Sequence, residues 1–260
     1  MPTILRPSRA LFRFSGADAQ KLLFDVVTGR LVAEAGPPVW WALLSPQGKI
    51  QAEGLSVWRD GAFWLDVDQS VADAFLKRMK MYRLRAEVTI EDLRATHAVG
   101  GDLAAEKMHV IGTREEAAKW GPPDLTYDRE RIAAGAAELG PDFAADTTFP
   151  HDIAMDLLGG VDFKKGCYIG QEVVSRMQHR GTARRRPVIV SGLTAPAGTP
   201  VLVGGRDAGT VGQVVDGRAV AIVRLDRFDG GEVTVGGSPV TVALPDWATY
   251  TLGAVEVQPG

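Results

Sequence analysis

The chain has 260 residues, of which 45% are hydrophobic and 23% are charged. This composition is typical of globular proteins and excludes wholesale disorder, and the length predicts two domains or one large domain with a smaller one attached. The 29 Lys and Arg residues nearly balance the 32 Asp and Glu residues, so the formal net charge is only -3. Any affinity for nucleic acid or for an anionic membrane therefore requires a local patch of charge.

Cysteine and histidine usage limits the metal and redox chemistry of the chain. Cys167 is its one cysteine, which excludes an internal disulfide, and the four histidines lack the spacing of a zinc site. The first four residues lack a signal-peptide pattern, and the apolar runs are too short to span a bilayer. We therefore expect a cytoplasmic protein that does not insert into membranes.

The first part of the chain alternates helical and strand-like patterns. A helix is expected over residues 15–24, after a first strand, with Ser15 as its N-cap. Three short β-rich runs separated by turn signals predict an antiparallel meander, and they cover residues 40–44, 54–58 and 62–67.

A helix and a strand are expected to follow the meander. Apolar residues at helical spacing predict a helix over residues 69–81, and alternating residues predict a strand over 84–90. A second, weaker series of strand and helix patterns begins near His97. It comprises a strand at 107–111, a helix at 114–120 and a further element at 127–133.

The last part of the chain has a different composition. From Arg186 onward helix signals disappear, and short Val-rich runs alternate with glycine pairs and prolines, a pattern typical of a small β-barrel or sandwich. The predicted fold class is therefore α+β. We assign residues 1–185 to an α+β body of two lobes, with a boundary near residue 95, and residues 186–260 to a C-terminal β-barrel.

The segment around Cys167 carries the clearest chemical signal. Residues 170–180 have the pattern of a helix that stops at Gly181, which places Cys167 just before the helix N-terminus. Unpaired N–H groups and the helix dipole, with Lys164 and Lys165 nearby, favour a thiolate there. The alternative is a small buried hydrophobe, which is what a lone cysteine commonly is. The glycine and lysine neighbours indicate an exposed turn and favour reactivity.

The run that contains this cysteine resembles the signature of the YgfZ family. These proteins are folate-binding relatives of the glycine cleavage T-protein that assist iron–sulfur cluster assembly and repair, and the family has a mitochondrial branch. The run reads Lys165, Gly166, Cys167, Tyr168, Ile169, Gly170, Gln171 and Glu172. Further blocks follow the order of the family over most of residues 5–190, at 15–19, 44–50, 82–86 and 129–135. The resemblance implies a T-protein-like folate-binding fold of two related α+β lobes and a C-terminal β-barrel, around a folate-sized hole.

Departures from the T-protein pattern bear on folate. T-protein-like enzymes place a catalytic Asp shortly after the turn at 48–50, where this chain has Glu53, and they hold the pterin with a Glu where this chain has Ala133. Residues 28–30 read Thr-Gly-Arg instead of the Thr-Asn-Asp of the family. Pterin donors that meet no carboxylate are bound less well, so aminomethyl transfer is not expected and tetrahydrofolate binding is weakened. By the resemblance, the candidate folate-binding residues are Glu53, Tyr82 and Arg131.

Two basic runs are candidates for binding an anionic partner. Arg176 and Arg180 lie one helical turn apart in a run over 176–186 that contains no acidic residue, and a second run spans 77–85. Such runs bind polyglutamyl tails, RNA phosphates or acidic protein faces, although more commonly they are solvated surfaces. The runs lack aromatic interleaving of the kind that stacks bases, which disfavours nucleic acid. Arg176 and Arg180 are the preferred docking residues because they follow Cys167.

The resemblance and the solitary cysteine imply an accessory factor in iron–sulfur cluster assembly or repair. Cys167 would supply a thiolate ligand or redox-active sulfur to a 2Fe–2S cluster shared with an A-type scaffold protein, since one cysteine cannot hold a cluster alone. Lys165 would keep the thiol ionised, Gly166 and Gly170 would allow a sharp turn, and Gln171 and Glu172 would support it.

Two alternatives remain open. One is a tetrahydrofolate-dependent one-carbon transfer enzyme, aminomethyltransferase-like or demethylase-like, and the other is an interaction module whose cysteine is incidental. A non-enzymatic role is favoured because the carboxylates of the enzymes are apparently lost. The free protein is expected to be a monomer in the cytoplasm, or in the mitochondrial matrix if its source is a eukaryote.

Overall fold

The computed structural model describes residues 3–102, 107–181 and 183–253. The chain divides into two compact units, each built from two separate stretches of sequence. Unit 1 comprises Met1–Tyr127 and Gly159–Gln171, and unit 2 comprises Asp128–Leu158 and Glu172–Gly260.

Unit 1 contains two antiparallel sheets and three helices in its described residues. Its strands are β1 (Ile4–Leu5), β2 (Arg9–Ser15), β3 (Val39–Leu44), β4 (Ile50–Arg59), β5 (Ala62–Asp68), β6 (Thr89–Asp92), β7 (His97–Asp102) and β8 (Lys107–Thr113). Its helices are α1 (Ala19–Val26), α2 (Ala72–Arg83), which follows a 3-10 turn over Gln69–Val71, and α3 (Arg114–Ala117). The larger sheet has the order β3-β4-β5-β2-β6 and the smaller one the order β1-β7-β8.

The predicted meander is confirmed. β3 pairs antiparallel with β4, and β4 pairs antiparallel with β5. Helix α2 packs on this sheet through Phe75, which is 1% exposed and lies against three aromatic rings. The ring centroids of Phe12 and Trp41 are 5.4 Å from that of Phe75, and the centroid of Phe14 is 6.2 Å away. The aromatic contacts explain why the 69–81 pattern forms a helix with one buried face.

Two of the expected elements have different boundaries. Helix α1 begins at Ala19, and Ser15 is not its N-cap, because Ser15 belongs to β2 and pairs with Thr89 of β6. The predicted helix over 114–120 is shorter, since α3 ends at Ala117, and its start is fixed by a capping box between Thr113 and Glu116.

The predicted strand over 84–90 is wrong for residues 84–88 and confirmed only for Thr89 and Ile90. Helix α2 continues to Arg83, Leu84 adopts a φ of 43°, and β6 begins only at Thr89. The alternation of apolar residues in this segment therefore belongs to a helix end and a turn. It has no strand partner before Thr89 because β2 pairs with β6 only from Phe12 to Ser15.

Unit 2 consists mainly of an antiparallel sheet. Helix α4 (Thr126–Ala133) leads into it from unit 1, a 3-10 turn covers Pro150–Ile153, and helix α5 (Gln171–Arg180) continues into it. Its strands are β9 (Arg185–Ser191), β10 (Pro200–Val203), β11 (Arg206–Val211), β12 (Arg218–Arg224), β13 (Val233–Val235), β14 (Ser238–Pro239) and β15 (Thr241–Ala243), with a 3-10 turn over Leu225–Arg227 before β13. They follow the order β14-β13-β10-β11-β12-β9-β15.

The β-rich character expected after Arg186 is confirmed. The valines of the predicted runs form a core, in which Val188, Val190, Val201 and Val223 are fully buried. Strand β9 begins at Arg185, next to the predicted domain start at 186. The domain boundaries themselves stay predictions. Within the described residues, no helix has the length and apolar character needed to cross a bilayer.

Candidate functional site

Cys167 lies on an exposed turn of unit 1, residues 162–170, called the cysteine turn below. The Cys167 side chain is exposed, so the alternative of a buried hydrophobe is wrong. The turn begins at Asp162, whose Oδ1 accepts the N–H of Lys164 at 2.8 Å, and it ends where α5 begins at Gln171. The cysteine therefore precedes the helix by four residues, and its sulfur is accessible from solvent.

Lys165 holds the cysteine turn against the C-terminal end of α1. Its Nζ donates hydrogen bonds to the carbonyl oxygens of Phe24 at 2.8 Å, Gly29 at 3.2 Å and Val27. Carbonyls at a helix C-terminus lack intrahelical donors and favour a cation. The ammonium also lies 4.9 Å from the ring centroid of Phe24 and 5.0 Å from that of Tyr168.

The same contacts alter the role expected for Lys165. The residue is 8% exposed, and burial lowers its pKa to about 8. Three carbonyl oxygens already accept from its ammonium group. The geometry therefore makes Lys165 an anchor of the turn, whereas its neighbour Lys164 is exposed.

Thr28 belongs to the site, although the sequence marked residues 28–30 only as a departure from the family pattern. It is fully buried, and its Oγ1 donates to the carbonyl of Gly160 at 2.7 Å while accepting the N–H of Ala42 at 2.9 Å. Its own carbonyl accepts the N–H of Asp162 at 3.0 Å. Thr28 thus joins β3 to the start of the cysteine turn. The next residue, Gly29, has no room for a side chain, since an added Cβ would lie 2.6 Å from a carbonyl oxygen.

Gly170 brings the end of the cysteine turn against the turn between β3 and β4. Its φ is 78°, and an added Cβ would lie 2.6 Å from the carbonyl oxygen of Ser45. Two blocks of the family pattern, 44–50 and 165–172, therefore meet in unit 1. Gly166 is less crowded than Gly170, because an added Cβ would lie 3.1 Å from a ring carbon of Phe24.

The end of the cysteine turn and the first turn of α5 make different contacts from those expected. Gln171 does support the turn, since its Oε1 accepts the N–H of Tyr168 at 3.4 Å. Glu172 instead forms an ion pair with Arg176, with 2.6 Å between Oε1 and Nη2. Arg176 therefore has an acidic neighbour one helical turn earlier, although the run over 176–186 itself contains none. Arg180 is exposed and forms no ion pair within the part of the chain that the structure describes.

Tyr168 is the most buried aromatic residue of the cysteine turn, at 6% exposure. Its hydroxyl has no hydrogen-bond partner among the described residues, and burial raises its pKa. The ring therefore serves the turn as a packing surface for Lys165.

The carboxylate of Glu53, the first folate candidate, already contacts two side chains of unit 1. It is 3% exposed, its Oε2 accepts the indole N–H of Trp40 at 2.7 Å, and its Oε1 lies 3.8 Å from Nη1 of Arg9. Tyr82, the second candidate, is half-buried on α2.

The guanidinium group of Arg131, the third folate candidate, is already hydrogen-bonded to side chains of unit 2. It is 1% exposed and donates to Asp128 at 2.9 Å, to Asp142 at 2.5 Å and to Gln213 at 2.8 Å. Burial raises the pKa of Asp142 to about 6 despite this contact. Ala133 is exposed near the end of α4 and offers no polar group. The charged groups of Glu53 and Arg131 are thus both engaged by neighbouring side chains within their own units.

Among the residues that the structure describes, no three His, Cys, Asp or Glu side chains lie close enough to hold a metal ion. An iron–sulfur cluster would need ligands from a second molecule in addition to Cys167.

Comparison with known proteins gives a match to one family model and matches to individual proteins. Residues 183–250 match the family model of the CAF17 C-terminal β-barrel domain. The chain is 30% identical to the mitochondrial iron–sulfur cluster assembly factor IBA57 homologue of Mycosarcoma maydis, over 75% of this chain and 57% of that protein. It is 28% identical to mitochondrial IBA57 of Mus musculus, over 92% of this chain and 83% of that protein. The chain thus spans little more than half the length of the fungal relatives.

A solved structure shows the fold. The glycine cleavage system aminomethyltransferase T of Bartonella henselae superposes with a TM-score of 0.75, over 96% of this chain and 87% of that one, at 15% sequence identity. Such low identity shows the fold alone. The chain has the aminomethyltransferase T-like fold with a C-terminal β-barrel, and its sequence is similar to IBA57 iron–sulfur cluster assembly factors.

Proposed function

We propose that this protein is an accessory factor in iron–sulfur cluster assembly or repair and that Cys167 presents a thiolate to a cluster held by a partner. The names of the relatives support the process, and the exposed cysteine on an anchored turn supports the residue. As the partner we propose an A-type scaffold protein, and, because the relatives are mitochondrial, the compartment is the mitochondrial matrix if the source is a eukaryote.

The proposed function requires the site to perform one step, the ligation of iron by a thiolate. A thiolate ligates iron and a thiol does not, so the sulfur must lose its proton as it binds. A 2Fe–2S cluster takes about four such ligands. Cys167 contributes one, and the scaffold contributes the others, so the cluster is cargo shared between two molecules. Lys165 and Gly170 fix the backbone on which the sulfur is displayed.

One-carbon transfer has less support. Glu53 and Arg131 are occupied by neighbouring side chains, and Ala133 has no carboxylate. Multiple turnover in a tetrahydrofolate-dependent formaldehyde assay would revive this alternative.

Cys167→Ser tests the proposal directly. Serine is nearly isosteric, and the side chain is exposed, so the free energy of unfolding should change by less than about 1 kcal/mol. Its hydroxyl does not ionise at neutral pH, so iron in the complex with a cluster-loaded A-type scaffold should fall to background. The measurements are a melting curve and an iron assay on the same preparations. A variant that melts normally and still retains iron would show that Cys167 is not the ligand.

A further inference from the structure

The C-terminal end of α2 and the turn after it form an unusual surface, residues 77–85, called the basic end of α2 below. Leu84 is 83% exposed and Met81 is 57% exposed, the two highest values for large apolar side chains among the described residues. Five cations share this short stretch of sequence with them, and none of the five forms an ion pair within the part of the chain that the structure describes. They are Lys77, Arg78, Lys80, Arg83 and Arg85.

The turn that displays Leu84 is strained and held in place. Its φ of 43° and ψ of -106° lie outside the regions that leucine normally adopts. The next residues are fixed to the start of α1, because the N–H of Glu87 donates to Oδ2 of Asp18 at 2.8 Å and the N–H of Asp18 donates to the carbonyl of Glu87 at 3.3 Å. An added Cβ on Gly16 would lie 2.1 Å from that carbonyl oxygen. The contacts impose a conformation that the leucine itself does not favour.

We propose that the basic end of α2 docks an acidic protein, which receives Leu84 in an apolar pocket and faces the five cations with carboxylates. A rigid apolar anchor inside a charged rim is the arrangement found at protein interfaces. Preorganisation of the turn lowers the entropy lost on binding. This inference rests on the proposed function, since it assigns the docking surface for the cluster scaffold.

A lipid surface fits the same residues less well. Of the other large apolar residues of α2, Phe75 and Met79 are buried in unit 1, and Leu76 and Tyr82 are half-buried. Only Met81 and Leu84 are well exposed, whereas interfacial helices present a broad apolar face to the membrane.

Helix α1 relates this surface to the cysteine turn. Asp18, just before α1, holds the turn after Leu84, and the carbonyls at the other end of α1 hold Lys165. The helix has eight residues, which is about 12 Å. A standard interface covers about 800 Å² on each partner, which is wide enough for one partner to reach both ends of α1.

The test measures association with a purified, cluster-loaded A-type scaffold. Lys80→Glu combined with Arg85→Glu should lower the association rate about tenfold at low ionic strength and weaken its salt dependence. The matched control, Lys119→Glu combined with Arg218→Glu, makes the same charge change at two exposed cations elsewhere and should keep the wild-type rate. Leu84→Gly suits the backbone conformation, so it should keep the melting temperature while raising the dissociation rate about tenfold.

The outcomes separate this inference from the proposed function. Equal association rates for the charge variant and its control, with iron retained in the complex, would overturn the docking surface and leave the function standing. A wild-type complex that forms through residues 77–85 but holds no iron would overturn the function alone. Binding of phosphatidylserine vesicles that depends on Leu84, without binding of the scaffold, would assign the surface to membranes and overturn the inference.

Discussion

Lys164 and Lys165 are adjacent residues of one type in different surroundings. Lys165 is buried and donates to three carbonyl oxygens, whereas Lys164 is exposed. Lys165→Met keeps the apolar stem and leaves these oxygens without their donor, which should lower the free energy of unfolding by about 2 kcal/mol. Lys164→Met should change it by less than about 0.5 kcal/mol. Urea unfolding of both variants measures the difference, and equal losses would contradict the anchoring role.

The lowered pKa of Lys165 makes the free energy of unfolding depend on pH in a definite direction. Burial lowers the pKa of Lys165 from 10.5 to about 8. Between these pH values the unfolded chain binds the Lys165 proton more than the folded chain does, so folding becomes more favourable as the pH rises. The stability advantage of the wild type over Lys165→Met should therefore grow from pH 8 to 10.5. A constant advantage would show that the pKa is not shifted.

The cysteine turn depends on one glycine whose role appears only at the scale of elements. Gly170 and Gly159 both have a φ near 78°, at 78° and 77°, and both lie in unit 1. A Cβ at Gly170 would lie 2.6 Å from the Ser45 carbonyl, while a Cβ at Gly159 would meet nothing within 4 Å. The two glycines therefore have similar backbone conformations, but only Gly159 has room for an added Cβ.

Alanine at these two positions separates strain from crowding. Gly159→Ala should lower the free energy of unfolding by about 1 kcal/mol, the cost of a left-handed non-glycine residue. Gly170→Ala should cost about 1–3 kcal/mol more, because the turn between β3 and β4 must move. It should also reduce iron retention with the scaffold, since the cysteine turn shifts. Thermal unfolding and the iron assay measure both effects, and equal melting temperatures would show that the contact with Ser45 is dispensable.

At the scale of the whole molecule, the fold is that of aminomethyltransferase T, and a likeness at 15% identity carries no activity over to this chain. We predict that tetrahydrofolate binds weakly or not at all, because Glu53 and Arg131 are satisfied internally and Ala133 replaces a carboxylate. Isothermal titration calorimetry with the full chain checks this. Binding in the micromolar range or tighter would contradict it and would require a pterin acceptor other than these residues.

Local patterns in the sequence determined much of the architecture. The meander of β3, β4 and β5, the helix that ends before Gly181 and the valine core of unit 2 follow from periodicity and from glycine and proline positions. The exposure of Cys167 followed from its glycine and lysine neighbours. These features depend on residues close in sequence, so the amino-acid order alone contains the information.

Contacts between distant parts of the chain were decided only by the tertiary structure. Lys165 bonds to carbonyls more than 130 positions away, and Thr28 bonds to Gly160 across 132 positions. Ser15 became a strand residue because β6 pairs with it, and the strained turn at Leu84 is followed by Glu87, which Asp18 holds. Backbone carbonyls look alike in every sequence, so no pattern of side chains indicates which of them will accept a buried ammonium or hydroxyl group.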